Sequence, residues 1–109
     1  MKEIKAIVRP DRLPVVLQAL HGIPDLPGVT VSTVRGFGRG YPTEGPGEEF
    51  DEVAMTKLEV VVPDAIAHDV ARAIERAAHT GRMGDGKVFI IPVEHAVKIR
   101  SGEWDVSAL

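Results

Sequence analysis

Cysteine is absent from the 109 residues. That excludes a disulfide framework, a thiolate-held zinc and a thiol nucleophile. An excess of positive charge is absent too: 13 Lys and Arg face 16 Asp and Glu, a formal net charge of −3, which argues against non-specific nucleic-acid binding. No apolar run approaches the roughly 20 residues that cross a bilayer, so no membrane insertion is expected. Met1-Lys2-Glu3-Ile4-Lys5 is followed by no long apolar segment and does not read as a secretory signal. There is no G-x-S-x-G nucleophile motif. His21, His68, His79 and His95 are scattered; His68 and His79 stand about 16 Å apart along one helix at ~1.5 Å per residue, too far to chelate one ion. The chain reads as one globular domain over residues 1–109, expected in the cytoplasm.

Periodicity is present. Ile4, Ala6 and Val8 alternate with Glu3, Lys5 and Ile7, which predicts a strand over 2–8. Asp11 is expected to cap a first helix, whose Leu13, Val16, Leu17 and Leu20 recur at helical spacing. Pro14 falls in its first turn, and Gly22 with Pro24 ends it. The β-branched run from Val29 to Val34 predicts a second strand, and Lys57 to Val62 a third. Asp64 is the next expected N-cap; Ile66, Val70, Ala73, Ile74 and Ala77 mark a second helix, stopped by Gly81. Val88 to Ile91 predicts a fourth strand and Val97 to Arg100 a short fifth. The order βαββαβ plus a tail is the split βαβ plan of an α+β, ferredoxin-like sandwich, with both helices on one sheet face.

The other face then needs cover. Val60-Val61-Val62 and Val88-Phe89-Ile90-Ile91 are apolar on both sides of the pleat, the pattern of strands buried on two faces. A four-stranded face of roughly 400 Å² is at the limit that a soluble monomer leaves exposed. A homo-oligomer with inward-facing sheets is the expectation, a folded-back tail the alternative. Between the second and third strands, Tyr41 to Glu52 holds Pro42, Gly45, Pro46, Gly47 and five acids. A loop of this length is usually functional or disordered.

The chemistry-bearing stretch is Thr80-Gly81-Arg82-Met83-Gly84-Asp85-Gly86-Lys87. Its glycines let backbone N–H groups converge into a concave anion nest. A Walker A loop is rejected, because Val88 follows Lys87 where Ser or Thr should bind Mg²⁺, and because the segment runs from helix to strand. The alternative is a Gly-rich helix exit with Lys87 solvated. Lys98 and Arg100, two apart on the expected fifth strand, would project from one face and repel unless an anion joins them. Arg39 lies in Gly36-x-Gly38-x-Gly40, where small residues permit close approach. Four charge-assisted contacts at about 1.5–3 kcal/mol each give a gross ~6–12 kcal/mol. Micromolar affinity needs about 8 kcal/mol net of association costs. A polyphosphate suits this set; a lone carboxylate leaves most of the cations unpaired.

Together these segments resemble the P-II family of trimeric signal-transduction proteins. The likeness runs from Met1-Lys2-x-Ile4-x-Ala6-Ile7 through Gly28-x-Thr30-Val31 and Gly36-Phe37-Gly38-Arg39 to Lys57-x-Glu59 and Val61-Val62-Pro63-Asp64. Its most specific parts are Thr80-Gly81-x-x-Gly84-Asp85-Gly86-Lys87 and Lys98-Ile99-Arg100-Ser101-Gly102-Glu103. The resemblance implies a T-loop over about 39–54, a B-loop over about 80–88 and a C-terminal tail over 95–109. It implies ATP or ADP as ligand in clefts between subunits, with Mg²⁺ as an accompanying ion. Gly84, Asp85, Gly86 and Lys87 would cradle phosphates with Arg39, and Lys98 and Arg100 would come from the adjacent subunit. Thr30, Gly36, Phe37 and Gly38 would line the nucleotide. The family regulates without being an enzyme. Nucleotide state shapes the T-loop, which engages a membrane transporter, enzyme or regulator, largely in nitrogen regulation.

The departures gather in one place. Gly40 stands where the family usually has a glutamine that helps hold Mg²⁺ and 2-oxoglutarate, whereas Lys57 matches a lysine near that site. The T-loop is shorter, and Phe50, without a phenolic oxygen, is nearest the usual uridylylated tyrosine; Tyr41 sits at the loop base. Uridylylation is therefore not expected, and the expectation of 2-oxoglutarate sensing is weakened. The pattern resembles a divergent branch, for which AMP, a cyclic nucleotide or bicarbonate, linked to carbon or metal transport, is an alternative effector. Two further alternatives stand: a slow ATPase with Asp85 or Glu59 as base, and a CutA-like metal-binding trimer, which leaves Lys87, Lys98 and Arg100 without an anion.

Overall fold

The computed structural model describes residues 1–38 and 52–109. Alternation in the first strand, β1 (Lys2–Val8), decides which way the sheet faces: Ile4, Ala6 and Val8 are buried and the residues between them are not. β1 is central. It pairs antiparallel with β3 (Glu52–Val62) on one side and β4 (Gly86–Pro92) on the other, and β2 (Thr30–Phe37) adds to the outer edge of β3, giving the order β2-β3-β1-β4. Register places Ile4 between Val60 and Ile90, and Ala6 between Leu58 and Val88. One apolar face results.

Helices α1 (Leu13–His21) and α2 (Asp64–Ala78) pack on that face and on each other. Val16 and Leu20 of α1, and Ala67, Val70, Ile74 and Ala78 of α2, close the core. This is the ferredoxin-like α+β plan read from the pattern. No helix among the described residues is long and apolar enough to cross a membrane.

Several expectations at element ends are corrected. Asp11 caps nothing: Pro10–Arg12 forms a 3₁₀ turn that delays α1 to Leu13, and Arg12 occupies the N-cap position without a side-chain bond. Asp64 is the first residue of α2 rather than its cap, and its carboxylate is taken by the Met1 amine at 2.8 Å. Leu17 is half-exposed rather than core. β2 runs on to Phe37, and β3 starts at Glu52 rather than Lys57, because pairing of Glu52 to Thr56 with β2 overrides weak local propensity. The expected T-loop therefore loses 52–54 to β3, and the rest, with Arg39 and Gly40, lies outside the described residues. The fifth strand reduces to one bridge, Val97 to Trp104, because the Lys98 and Gly102 N–H groups close a turn onto Glu103 and Lys98 carbonyls. The helix-free face is apolar only in part. Ile7, Val61, Phe89 and Ile91 share it with Glu3, Lys5, Lys57 and Glu59.

The exit of α2 is held from outside. Arg12 donates from Nε (3.0 Å) and Nη2 (2.6 Å) to the Ala77 carbonyl, one of the orphan acceptors at a helix C-terminus, where positive charge is also favoured. Arg12→Ala is expected to cost about 1.5–3 kcal/mol, read as a lower urea midpoint with an unchanged slope. An unchanged midpoint would remove the clamp from the account.

Candidate functional site

After α2 the chain turns extended at His79 and then enters the left-handed region at Gly81, Gly84 and Gly86, with φ of 84°, 91° and 94°. Asp85 organises this loop from within. Its Oδ2 accepts the Thr80 and Gly81 N–H groups at 2.8 and 2.9 Å, and its Oδ1 accepts the Thr80 hydroxyl and, at 2.8 Å, Nε of Arg9. Arg9 Nη2 also donates to the Met83 carbonyl, and the Arg82 N–H donates to Thr80 Oγ1 at 3.2 Å. The Arg9 guanidinium, then the Thr80 contacts, hold the Asp85 carboxyl far below the usual carboxylate range.

Two consequences follow for the expected site. The Asp85 carboxylate shapes the loop rather than meeting a ligand, and a group so engaged is a poor general base. The amides of Thr80, Gly81 and Arg82 are satisfied within the loop. Those of Met83 and Gly84 donate to no protein acceptor among the described residues, and the Asp85 amide faces the Arg82 carbonyl across the turn at Met83–Gly84. Two consecutive free amides at a left-handed glycine are the raw material of an anion nest.

The sheet brings further candidates to this end. Lys57, Ile7 and Lys87 lie opposite one another across β3, β1 and β4 on the open face, the two lysines two inter-strand steps of about 4.8 Å apart. Gly36 pairs with Val53. Gly84 joins Arg9, Pro10 and the β3 start at Val53 to Met55 around a cavity of about 280 Å³. Gly36, Gly84 to Lys87 and Lys57 thus lie toward the same end of the sheet, with Gly38 at the end of the described part of that segment. Phe37 pairs with Glu52 on the opposite face and is 57% exposed. Along β4, Asp85, Gly86 and Lys87 also end a cleft of about 630 Å³ under α2, shared with His68, Arg72, Arg76 and His79.

Other candidates stand apart. Thr30 lies opposite Glu59, in a cavity of about 430 Å³ with Glu3, Gly28 and Leu109. Lys57 Nζ is 3.4 Å from Glu59 Oε1. The bond between Glu59 and Glu3 pushes the Glu59 carboxyl down and the Glu3 carboxyl up, so Glu59 is also ill suited as a base. Lys98 and Arg100 sit in the tail turn rather than side by side on a strand. The tail is tied by the Val93 N–H to the Met1 carbonyl and ends beside Glu3 and Val61, at the far end of the sheet from the loop. No cluster of three or more potential metal-ligating side chains occurs among the described residues.

Arg9 escaped the motif reading, although the signal was there. A split βαβ plan sets β1 antiparallel beside β4, so the residue after β1 must meet the residue before β4.

The comparisons agree with this architecture. A family model described as Nitrogen regulatory protein P-II matches residues 1–103. The nitrogen regulatory protein P-II of Azospirillum brasilense is 45% identical over 107 residues, covering 94% of this chain and 95% of that protein. Nitrogen regulatory protein P-II 1 of Escherichia coli K12 is 41% identical over 113 aligned residues, covering both fully. The crystal structure of Arabidopsis thaliana PII bound to citrate superposes with a TM-score of 0.82 at 40% identity, covering 99% of this chain and 91% of that one. With the fold and nearly the whole length in agreement, the chain belongs to the P-II family.

Proposed function

We propose that this chain is a regulatory receptor for adenine nucleotides, ATP or ADP, acting as a homotrimer and signalling through residues 39–51 to a protein target, in nitrogen regulation as the names of its relatives suggest. The observation that carries the reading is the pair of free amides at Met83 and Gly84, in the loop that leads into Lys87, which shares a cross-strand row with Lys57. Free amides and cations gathered at one end of the sheet favour a polyphosphate over a single carboxylate. A relative crystallised with citrate, a polyanion, is compatible with such a site.

The trimer follows from what one chain leaves undone. Lys98 and Arg100 hang at the far end of the sheet from the loop, and Phe89 remains 46% exposed on the open face. A neighbouring copy would cover that face and lend its tail cations to the loop. Mg²⁺ would accompany the nucleotide. Response to 2-oxoglutarate, AMP or bicarbonate belongs to the same test.

Calorimetric titration with ATP, ADP and AMP, with and without Mg²⁺ and 2-oxoglutarate, provides it. Micromolar ATP or ADP binding at one site per chain is expected, and no binding at millimolar nucleotide would overturn the reading. Lys87→Ala is expected to weaken ATP binding by about 1.5–3 kcal/mol, or roughly 10- to 150-fold, the loss typical of a charged hydrogen-bond partner.

A further inference from the structure

A carboxylate inside an anion-binding loop is a physical contradiction unless something cancels it. Asp85 lies between Gly84 and Gly86, next to the amides of Met83 and Gly84 that would receive phosphate oxygens, and an unmasked negative charge there would repel them. The structure shows what cancels it. Arg9, arriving from the end of β1, places Nε 2.8 Å from Asp85 Oδ1, with the two side chains only 19% and 22% exposed. This pair is shielded beyond an ordinary surface salt bridge.

The same guanidinium does a second thing. Its Nη2 holds the Met83 carbonyl. The Met83–Gly84 peptide is planar and trans, so the Gly84 N–H must point away from Arg9 once the Met83 carbonyl points toward it. Arg9 therefore aims one amide of the nest while neutralising the acid that shares it. Only a forked, always-charged group does both; an ammonium is a single point charge.

We infer that Arg9 is a positioning residue for the phosphate end of the site and that, by masking Asp85, it sets the preference of the loop for more highly charged ligands. The inference deepens the nucleotide reading above and rests on it. It predicts a charge-dependent defect, which loss of structure alone would not give.

The test compares wild type, Arg9→Gln, Arg9→Lys and the double variant Arg9→Gln with Asp85→Asn, titrated with ATP, ADP and AMP, with amide hydrogen exchange on residues 80–86 and thermal melting alongside. Arg9→Gln should weaken ATP binding by about tenfold more than AMP binding, with ADP between, because the unmasked carboxylate acts on each added phosphate charge. Arg9→Lys should restore the ATP-to-AMP ratio without restoring full affinity. The double variant should bind all three nucleotides more weakly than wild type but by similar factors, since no charge is left to unmask. Equal losses for the three nucleotides in Arg9→Gln would overturn the inference while leaving nucleotide binding intact. Should wild type bind no nucleotide, the functional reading fails; the clip is then judged by exchange alone, and unchanged protection of the Thr80 and Gly81 amides in Arg9→Gln would overturn it too.

Discussion

Gly86→Ala is expected to abolish the native β1–β4 pairing rather than to trim an affinity. A Cβ built at Gly86 stands 1.7 Å from the Ile7 carbonyl oxygen and 2.8 Å from its carbon. Both are backbone atoms that cannot rotate away. The residue also has φ of 94°, which an alanine adopts only at a penalty of about 1–2 kcal/mol. Relief by sliding β4 would carry Val88 and Ile90 off Ala6 and Ile4, and so open the core. The combined cost should exceed about 4 kcal/mol, the range reserved for a few named mechanisms, in a domain whose margin is about 5–15 kcal/mol. Thermal melting, with nucleotide titration of any folded fraction, measures it. Gly28→Ala is the matched control, since nothing lies within 4 Å of its Cβ position. A melting temperature for Gly86→Ala equal to that of the control would show that the Ile7 backbone yields.

Asp85→Asn is the second large effect, and it separates loop order from core order. An amide keeps the shape but loses the charge that Arg9 faces, and one of its two ends donates where the carboxylate accepted from Thr80 and Gly81 or from Arg9. Nucleotide affinity should fall roughly 10- to 100-fold, the usual loss when a supporting hydrogen-bond partner is removed from behind a binding group, while the helices and sheet still melt cooperatively. The pH dependence has a definite sign. Asp85 is depressed in the folded chain, whereas an unfolded aspartate titrates near ~3.9. Its contribution is therefore complete at neutral pH, begins to fade as the pH falls below about 4, and is lost as the folded-state value is passed. The stability difference between wild type and Asp85→Asn should narrow on acidification through that window. A constant difference from neutrality down to about pH 3 would mean that the charge does not fasten the loop.

The fold was legible because its signals are periodic and local. Ile4, Ala6 and Val8 alternate, Val70 and Ile74 recur at helical spacing, and together they fix the element order and the face of the sheet that the helices cover. The Gly-rich loop was legible because positive φ leaves a mark in residue type. What escaped were pairings decided between distant segments. Asp11 and Asp64 have the chemistry of caps, but a 3₁₀ turn takes up Asp11, and Asp64 lies inside the helix with its carboxylate held by the amine of Met1. Lys98 and Arg100 have strand spacing, but the Lys98–Glu103 turn replaces the strand. Asp85 looked like a ligand group because Gly84, Gly86 and Lys87 beside it have the composition of an anion-binding loop. Thr80 and Gly81 turn it inward together with Arg9, 76 positions away in sequence, and that distant partner is visible only once β1 and β4 lie side by side.

The single tryptophan of the chain lies in the tail, with its ring edge-on to His95 at 5.7 Å and its backbone in the Val97–Trp104 bridge. Indole emission is therefore a built-in optical gauge of the segment that carries Lys98 and Arg100. Any event that draws those cations across to a neighbouring loop should shift the emission of the unlabelled protein, so the rearrangement can be timed in a stopped-flow cell without a dye or a tag.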